Sequence, residues 1–292
     1  MGYLPNATAR ALKTKRSQNI GVLFVDTTHS GLKHEYFSSI LDSLKVEAER
    51  LGYDLTFISK NIGKFSMSYY EHTRYRNCDG VVIASVDFRD PDIISLVQSE
   101  IPTVTLDYVF EGHSAILSDN TVGMTAILDY VYAKGHRDIA LIHGEDTEVT
   151  RKRVESFYAS CARLGLTVRP ECVKAALYHA PASSAAATRE LLALDRRPTC
   201  VLFPDDYSYT GGMNEIESRG LAIPEDISVV GYDGISLSRL LRPRLVTFKQ
   251  DAERMGREAA SQLIAEIEGP EHVPARLSIP GVLLTGESVA EV

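Results

Sequence analysis

Short apolar runs recur along the chain, each rich in Val, Ile and Leu and none alternating with polar residues: Ile20–Val25, Leu55–Ile58, Gly80–Ser85, Thr103–Leu106, Ile139–His143, Cys200–Phe203 and Ile227–Gly231. Strands buried on both faces of a parallel sheet read this way, because neither side meets water. The intervening segments have helical spacing. Phe37, Ile40, Leu41, Leu44, Ala48 and Leu51 fall on one face of a helix that Gly52 would close as a C′ residue. Thr121–Ala133 and Val154–Leu164 behave alike, ending at Gly135 and Gly165, and Pro91, Pro102, Pro170, Pro198 and Pro224 punctuate the connections. Strand and helix alternate from start to end, which predicts an α/β doubly wound fold. The number of units predicts two lobes rather than one wide sheet, with a crossover where a new helix opens at Asp119–Asn120.

Composition narrows the class. Hydrophobic residues make up 44% and charged residues 24% of the 292, which excludes a disordered or collagen-like chain. No stretch reaches the ~20 apolar residues of a membrane span, and the run after the basic N-terminal residues is shorter than a secretory leader's ~7–15-residue core, so no leader is predicted. Cys78, Cys161, Cys172 and Cys200 are scattered without C-x-x-C spacing. They read as reduced core residues, consistent with a cytoplasmic protein. The net charge of −8 argues against a generally basic nucleic-acid coat, but it is uneven: residues 1–16 hold four basic residues and no acid.

Enzyme signatures are missing. There is no G-x-G-x-x-G, no phosphate loop, no H-E-x-x-H and no G-x-S-x-G, so neither a cofactor nor a metal is expected. The strand–helix joints carry acids instead: Asp107, Asp205-Asp206 and Asp233 each follow an apolar run. Ligands of open α/β sheets sit outside these strand ends, where carboxylates can accept hydrogen bonds from hydroxyl groups. An aspartate before a helix can equally cap it. Asp206 is assigned the cap, and Asp205 and Asp233 the ligand. Acids, an arginine and aromatic faces together suit a sugar, and the absence of an acid–base pair or nucleophile favours binding over turnover.

The basic head contains Asn6, which can cap a helix running to about Lys13, with Leu12 as its apolar side chain. Two turns are too short to be stable alone. The segment is either a solvated tail or a helix that folds in a minor groove, with Leu12 as a wedge between base steps and cations on phosphates.

With these residues in view, the chain resembles the lactose-repressor/galactose-repressor (LacI/GalR) family of bacterial transcription regulators over nearly its whole length. Tyr3-Leu4-Pro5-Asn6 with Ala9-Arg10 and Leu12 is similar to the family's hinge helix. Cys78-Asp79-Gly80-Val81-Val82 resembles its V-D-G-I-I strand, and Ser118-Asp119-Asn120 with Gly123 its D-N-x-x-G helix start. Gly135-His136-Arg137 with Ile139-Ala140 resembles G-H-R-x-I-A. The run Pro224-Glu225-Asp226-Ile227-Ser228-Val229-Val230-Gly231-Tyr232-Asp233 resembles its most recognisable segment.

The resemblance implies a periplasmic-binding-protein-like core: two doubly wound parallel-sheet lobes joined by three crossovers, forming a homodimer that binds a small effector, a sugar, in an interlobe cleft. The expected divisions are a hinge remnant at 1–17, an N-terminal lobe at 18–118 plus 251–276, and a C-terminal lobe at 119–250 plus 277–292. It carries ligand roles onto Asp233, Arg153, Asp205 (where the family often has Asn), Gln250, Tyr36 and Phe37. Asp107 and Tyr178 or His179 are further candidates. Asn6, Arg10 and Leu12 are the expected DNA-binding hinge residues. In the family a helix-turn-helix headpiece precedes the hinge, and the 292 residues open at the hinge-like segment, so operator DNA is expected as partner of the protein with its headpiece. An exported sugar-binding protein of a transport system, with the same fold and no use for the hinge, is the alternative.

Overall fold

A computed structural model describes residues 16–25, 31–269 and 273–292. The hinge-like residues Asn6, Arg10 and Leu12 lie outside the described residues. The chain divides into two units, the first comprising the described residues up to Leu117 with Ala252–Ile279, the second Ser118–Asp251 with Pro280–Val292. It therefore passes between units three times.

In unit 1, β1 (Asn19–Phe24), β5 (Gly80–Ala84), β6 (Thr103–Leu106), β7 (Ser114–Ser118), β2 (Asp54–Ile58) and β13 (Arg276–Ile279) form one sheet in the order β13-β7-β6-β5-β1-β2. The neighbours from β2 through β7 are parallel. Every residue of β5 is buried, as a central strand covered on both faces requires. Asn61–Ile62 and Phe65–Ser66 pair as a separate hairpin, β3 and β4.

Two helices of unit 1 begin where the sequence supplies side-chain caps. Ser68 and Glu71 form a capping box on α2 (Tyr69–Tyr75), and Asp90 caps α3 (Pro91–Val97), whose first residue is proline. The helix α1 (Glu35–Arg50) ends as expected, with Gly52 at φ +85° and the Tyr53 amide donating to the Ala48 carbonyl. It packs on α9 (Ala252–Glu268) at Gly256, where a Cβ would fall 2.1 Å from the Ile40 carbonyl oxygen.

Glu47 fastens the same helix pair. It is buried, is held by the Arg50 guanidinium at 2.6 and 2.8 Å, and accepts from the Ser261 hydroxyl at 2.8 Å. The Arg50 hydrogen bonds outweigh burial and lower its carboxyl pKa to about 2. A lowered folded-state pKa stabilises the fold above the unfolded value of ~4.3, and this is lost as pH falls toward about 2. Glu47→Gln is expected to cost ~1–3 kcal/mol at neutral pH. In urea titrations the gap between variant and parent should close on acidification, and a gap independent of pH would contradict the assignment.

Unit 2 repeats the plan. Its sheet runs β14-β12-β11-β10-β8-β9, from β8 (Ile139–His143), β9 (Val173–Ala175), β10 (Cys200–Leu202), β11 (Ser228–Asp233), β12 (Val246–Lys249) and β14 (Val282–Leu284). All neighbours are parallel except β14, which is antiparallel on β12. On one face α4 (Asn120–Ala133) and α5 (Glu148–Arg163) bury Ile127, Leu128 and Phe157 against Leu141, Leu202 and Val230. On the other, α6 (Pro181–Leu192) and α7 (Asp206–Ser218) bury Leu191, Tyr209 and Ile216 against Ala140, Ile142 and Val201. Successive strand residues point to opposite helical layers, which is why the runs read as continuously apolar. The four turns of α5 begin six residues before the apolar spacing does, because Thr147 caps the helix by accepting from the Thr150 amide.

Candidate functional site

The carboxyl ends of the parallel strands carry backbone strain. Ser85 after β5, Asp107 after β6 and Asp233 at the end of β11 all have positive φ without being glycine, as does His179 in the β9–α6 loop. Such conformations cost of order 1–3 kcal/mol each and gather where function holds them.

In unit 2 one group assembles around Arg153. This residue lies on α5 and is only 7% exposed. Its Nε donates to Asn120 Oδ1 at 2.7 Å, its Nη1 to the Pro204 carbonyl at 3.0 Å, and its Nη2 stands 4.0 Å from Asp233 Oδ1. The guanidinium carbon lies 3.6 Å from the Tyr232 ring centroid and 5.6 Å from that of Tyr178. Gln250 donates from Nε2 to Asp233 Oδ1 at 2.7 Å. Asp233, Arg153, Gln250 and Tyr178, expected from separate stretches of sequence, are thus brought together. Tyr178 is anchored: its hydroxyl pairs with the Thr150 hydroxyl at 2.9 Å and its backbone amide donates to Glu145 Oε2 at 2.8 Å. Burial pushes its phenol pKa up.

The Asp205-Asp206 pair corrects the sequence assignment. Asp205, not Asp206, is the N-cap of α7, and it is 2% exposed. Its Oδ1 accepts from the Ser208 amide, and its Oδ2 from the Ser208 hydroxyl and the His179 amide, at 2.7–2.8 Å. A carboxylate so occupied caps a helix and fastens the His179 loop to it. Asp206 is fully buried and reaches the sheet instead.

Unit 1 holds the other three candidates, Tyr36, Phe37 and Asp107. Tyr36 is buried in the α1–α9 contact with its hydroxyl 3.2 Å from Met255 Sδ, so it serves packing. Phe37 is half-buried at the carboxyl end of β1, its ring 5.3 Å from that of Phe24 and 4.9 Å from that of His34. Asp107 is half-buried in its left-handed turn, with its amide donating to the Ile116 carbonyl.

Sequence reasoning missed three groups. Asn120 was visible only as a helix start, although its side chain orients Arg153. Tyr232 was visible only as a motif residue, although it is the cation–π partner. Phe88 and Tyr108, stacked 4.4 Å apart with Phe110 beside them, form an aromatic surface past β5 and β6. An aromatic immediately beyond a buried strand was the available signal for Tyr108. Among the described residues no group of three His, Cys, Asp or Glu is placed to hold a metal ion.

Comparison with known proteins follows the same line. A model of the periplasmic binding protein-like domain matches residues 128–289. The chain is 28% identical over 295 residues to the HTH-type transcriptional repressor PurR of Pasteurella multocida, covering 99% of this chain and 86% of that protein. Solved structures share its fold. A transcriptional regulator CelR–cellobiose complex aligns with a TM-score of 0.83 at 23% identity, covering 96% of this chain and 89% of that one. The lac repressor dimer bound to operator and the anti-inducer ONPF aligns with a TM-score of 0.82 at 24% identity, covering 99% and 100%. Repressors rather than transport proteins are its relatives, which favours the regulator over the exported binding protein. The chain belongs to the periplasmic binding protein-like domain family and is the effector-binding core of a LacI/GalR-type transcription regulator.

Proposed function

We propose that the effector is a sugar and that unit 2 recognises it through Asp233, with Arg153, Gln250 and Tyr178 around it. One observation carries this reading: the Asp233 carboxylate is held in a left-handed turn between Gln250 and Arg153, with tyrosine rings beside the guanidinium. A carboxylate can accept from two neighbouring hydroxyls, an arginine can donate to ring and hydroxyl oxygens, and tyrosine faces accommodate sugar C–H groups. Because Arg153 already faces a carboxylate, a neutral polyol suits the site better than a strong anion.

The protein works as a homodimer in the cytoplasm, binding operator DNA through a headpiece and hinge. The sugar acts by preferring one of two conformations, since equal affinity for both would shift nothing. A thermal-shift panel of pentoses, hexoses, disaccharides and sugar acids, with purines and amino acids as non-carbohydrate controls, tests the reading. Stabilisation by at least one neutral sugar is expected, and a panel in which only non-carbohydrate controls shift the melting temperature would overturn it.

A further inference from the structure

Asp206 opens α7, yet its side chain leaves the helix and lies on the sheet. Its Oδ1 accepts from the Thr247 hydroxyl of β12 at 2.6 Å, and its Oδ2 from the Ile235 amide at 3.0 Å. Thr247 pairs in register with Gly231 of β11. A Cβ on Gly231 would stand 2.1 Å from Asp206 Oδ1, so only glycine leaves room for the carboxyl group on that rung. Ile235 lies two residues beyond Asp233, across Gly234 at φ +68°, where a Cβ would meet Lys249 at 2.4 Å. One buried carboxyl group therefore ties together the start of α7, β12 and the turn that leaves β11. That turn contains Asp233 at φ +97°, a conformation rare for a residue with a side chain.

We propose that Asp206 is the positioning residue for Asp233: by accepting from the Thr247 hydroxyl and the Ile235 amide it holds the Asp233–Gly234–Ile235 turn in the left-handed conformation that presents the Asp233 carboxylate to Arg153 and Gln250. The effect on the effector rests on the Asp233 reading given above, whereas the effect on the turn does not. Burial, with Asp233 and Asp205 nearby, pushes the Asp206 carboxyl well above the ordinary carboxylate range. Asparagine keeps an acceptor for the Ile235 amide through Oδ1 and turns the Thr247 contact round, its Nδ2–H donating to the Thr247 hydroxyl oxygen.

Amide hydrogen exchange at Ile235, read on the whole chain by NMR, tests the turn. Calorimetry with cellobiose and with D-ribose as probes tests its consequence. Asp206→Asn is expected to keep Ile235 protection and the affinity of whichever probe binds the parent within about threefold. Asp206→Ala is expected to speed Ile235 exchange about 10- to 100-fold and weaken that probe by a similar factor. Thr247→Val, which removes only the hydroxyl partner, should also speed Ile235 exchange and decides the matter if Asp206→Ala does not fold. Unchanged Ile235 protection in Asp206→Ala, or in Thr247→Val in its place, would overturn the proposal. So would an Asp206→Asn variant as unprotected as the alanine one. If neither probe binds the parent protein, the choice of these sugars fails, while the exchange result still decides the role of Asp206.

Discussion

Asp233→Ala is expected to weaken sugar binding by about 100-fold or more while leaving a folded chain. The substitution removes an ionised acceptor, and hydrogen bonds to charged groups contribute about 1.5–3 kcal/mol each, with two hydroxyls able to use one carboxylate. It also removes the acceptor of Gln250 Nε2 and the negative charge 4.0 Å from the Arg153 guanidinium. Alanine tolerates φ +97° poorly, which adds of order 1–3 kcal/mol of strain to the turn. Asp233→Asn separates the two effects, since asparagine adopts left-handed φ readily but carries no charge. Calorimetry should show asparagine restoring stability while affinity stays well below that of the parent. Full affinity in Asp233→Asn would mean that the charge is not what the ligand reads.

Arg153→Ala is expected to carry the largest stability cost in unit 2, about 3–5 kcal/mol, together with loss of binding. The residue is nearly enclosed, and its removal leaves Asn120 Oδ1 and the Pro204 carbonyl without this donor and Tyr232 without its cation. Arg153→Lys keeps the charge but not the fork that reaches Asn120 and Pro204 together, so an intermediate cost is expected. Urea midpoints measure this. A midpoint unchanged within error for Arg153→Ala would place the guanidinium outside the packed structure described here.

How far these residues could be read from sequence depends on the physics behind each. The seven apolar runs all contribute strands; most are central strands buried on two faces, which leave an unbroken apolar record, while Leu55–Ile58 is a half-exposed edge strand. Helix ends at Gly52, Gly135 and Gly165 were legible because a positive φ selects glycine. The Ser114–Ser118 strand, the three-residue Val173–Ala175 strand and the edge strands Arg276–Ile279 and Val282–Leu284 were not, being short, partly polar or half-exposed. Asp233 and Arg153 were legible through motif resemblance. The exchange of roles between Asp205 and Asp206 was not, because adjacent aspartates at a helix start look alike until Gly231 shows which one has room on the sheet. Asn120 and Tyr232 act through Arg153, from positions 33 and 79 residues away, and no local pattern records such a partnership.

If the effector is a sugar held at Asp233, removing the charge of that carboxylate must weaken its binding. Isothermal titration calorimetry of the sugar that gives the largest thermal shift tests it most directly, run in parallel on the parent chain and on Asp233→Asn. One site per chain is expected in the parent, with binding weakened at least about tenfold in the variant. Equal affinity in the two proteins, or no carbohydrate binding to the parent at all, would contradict it.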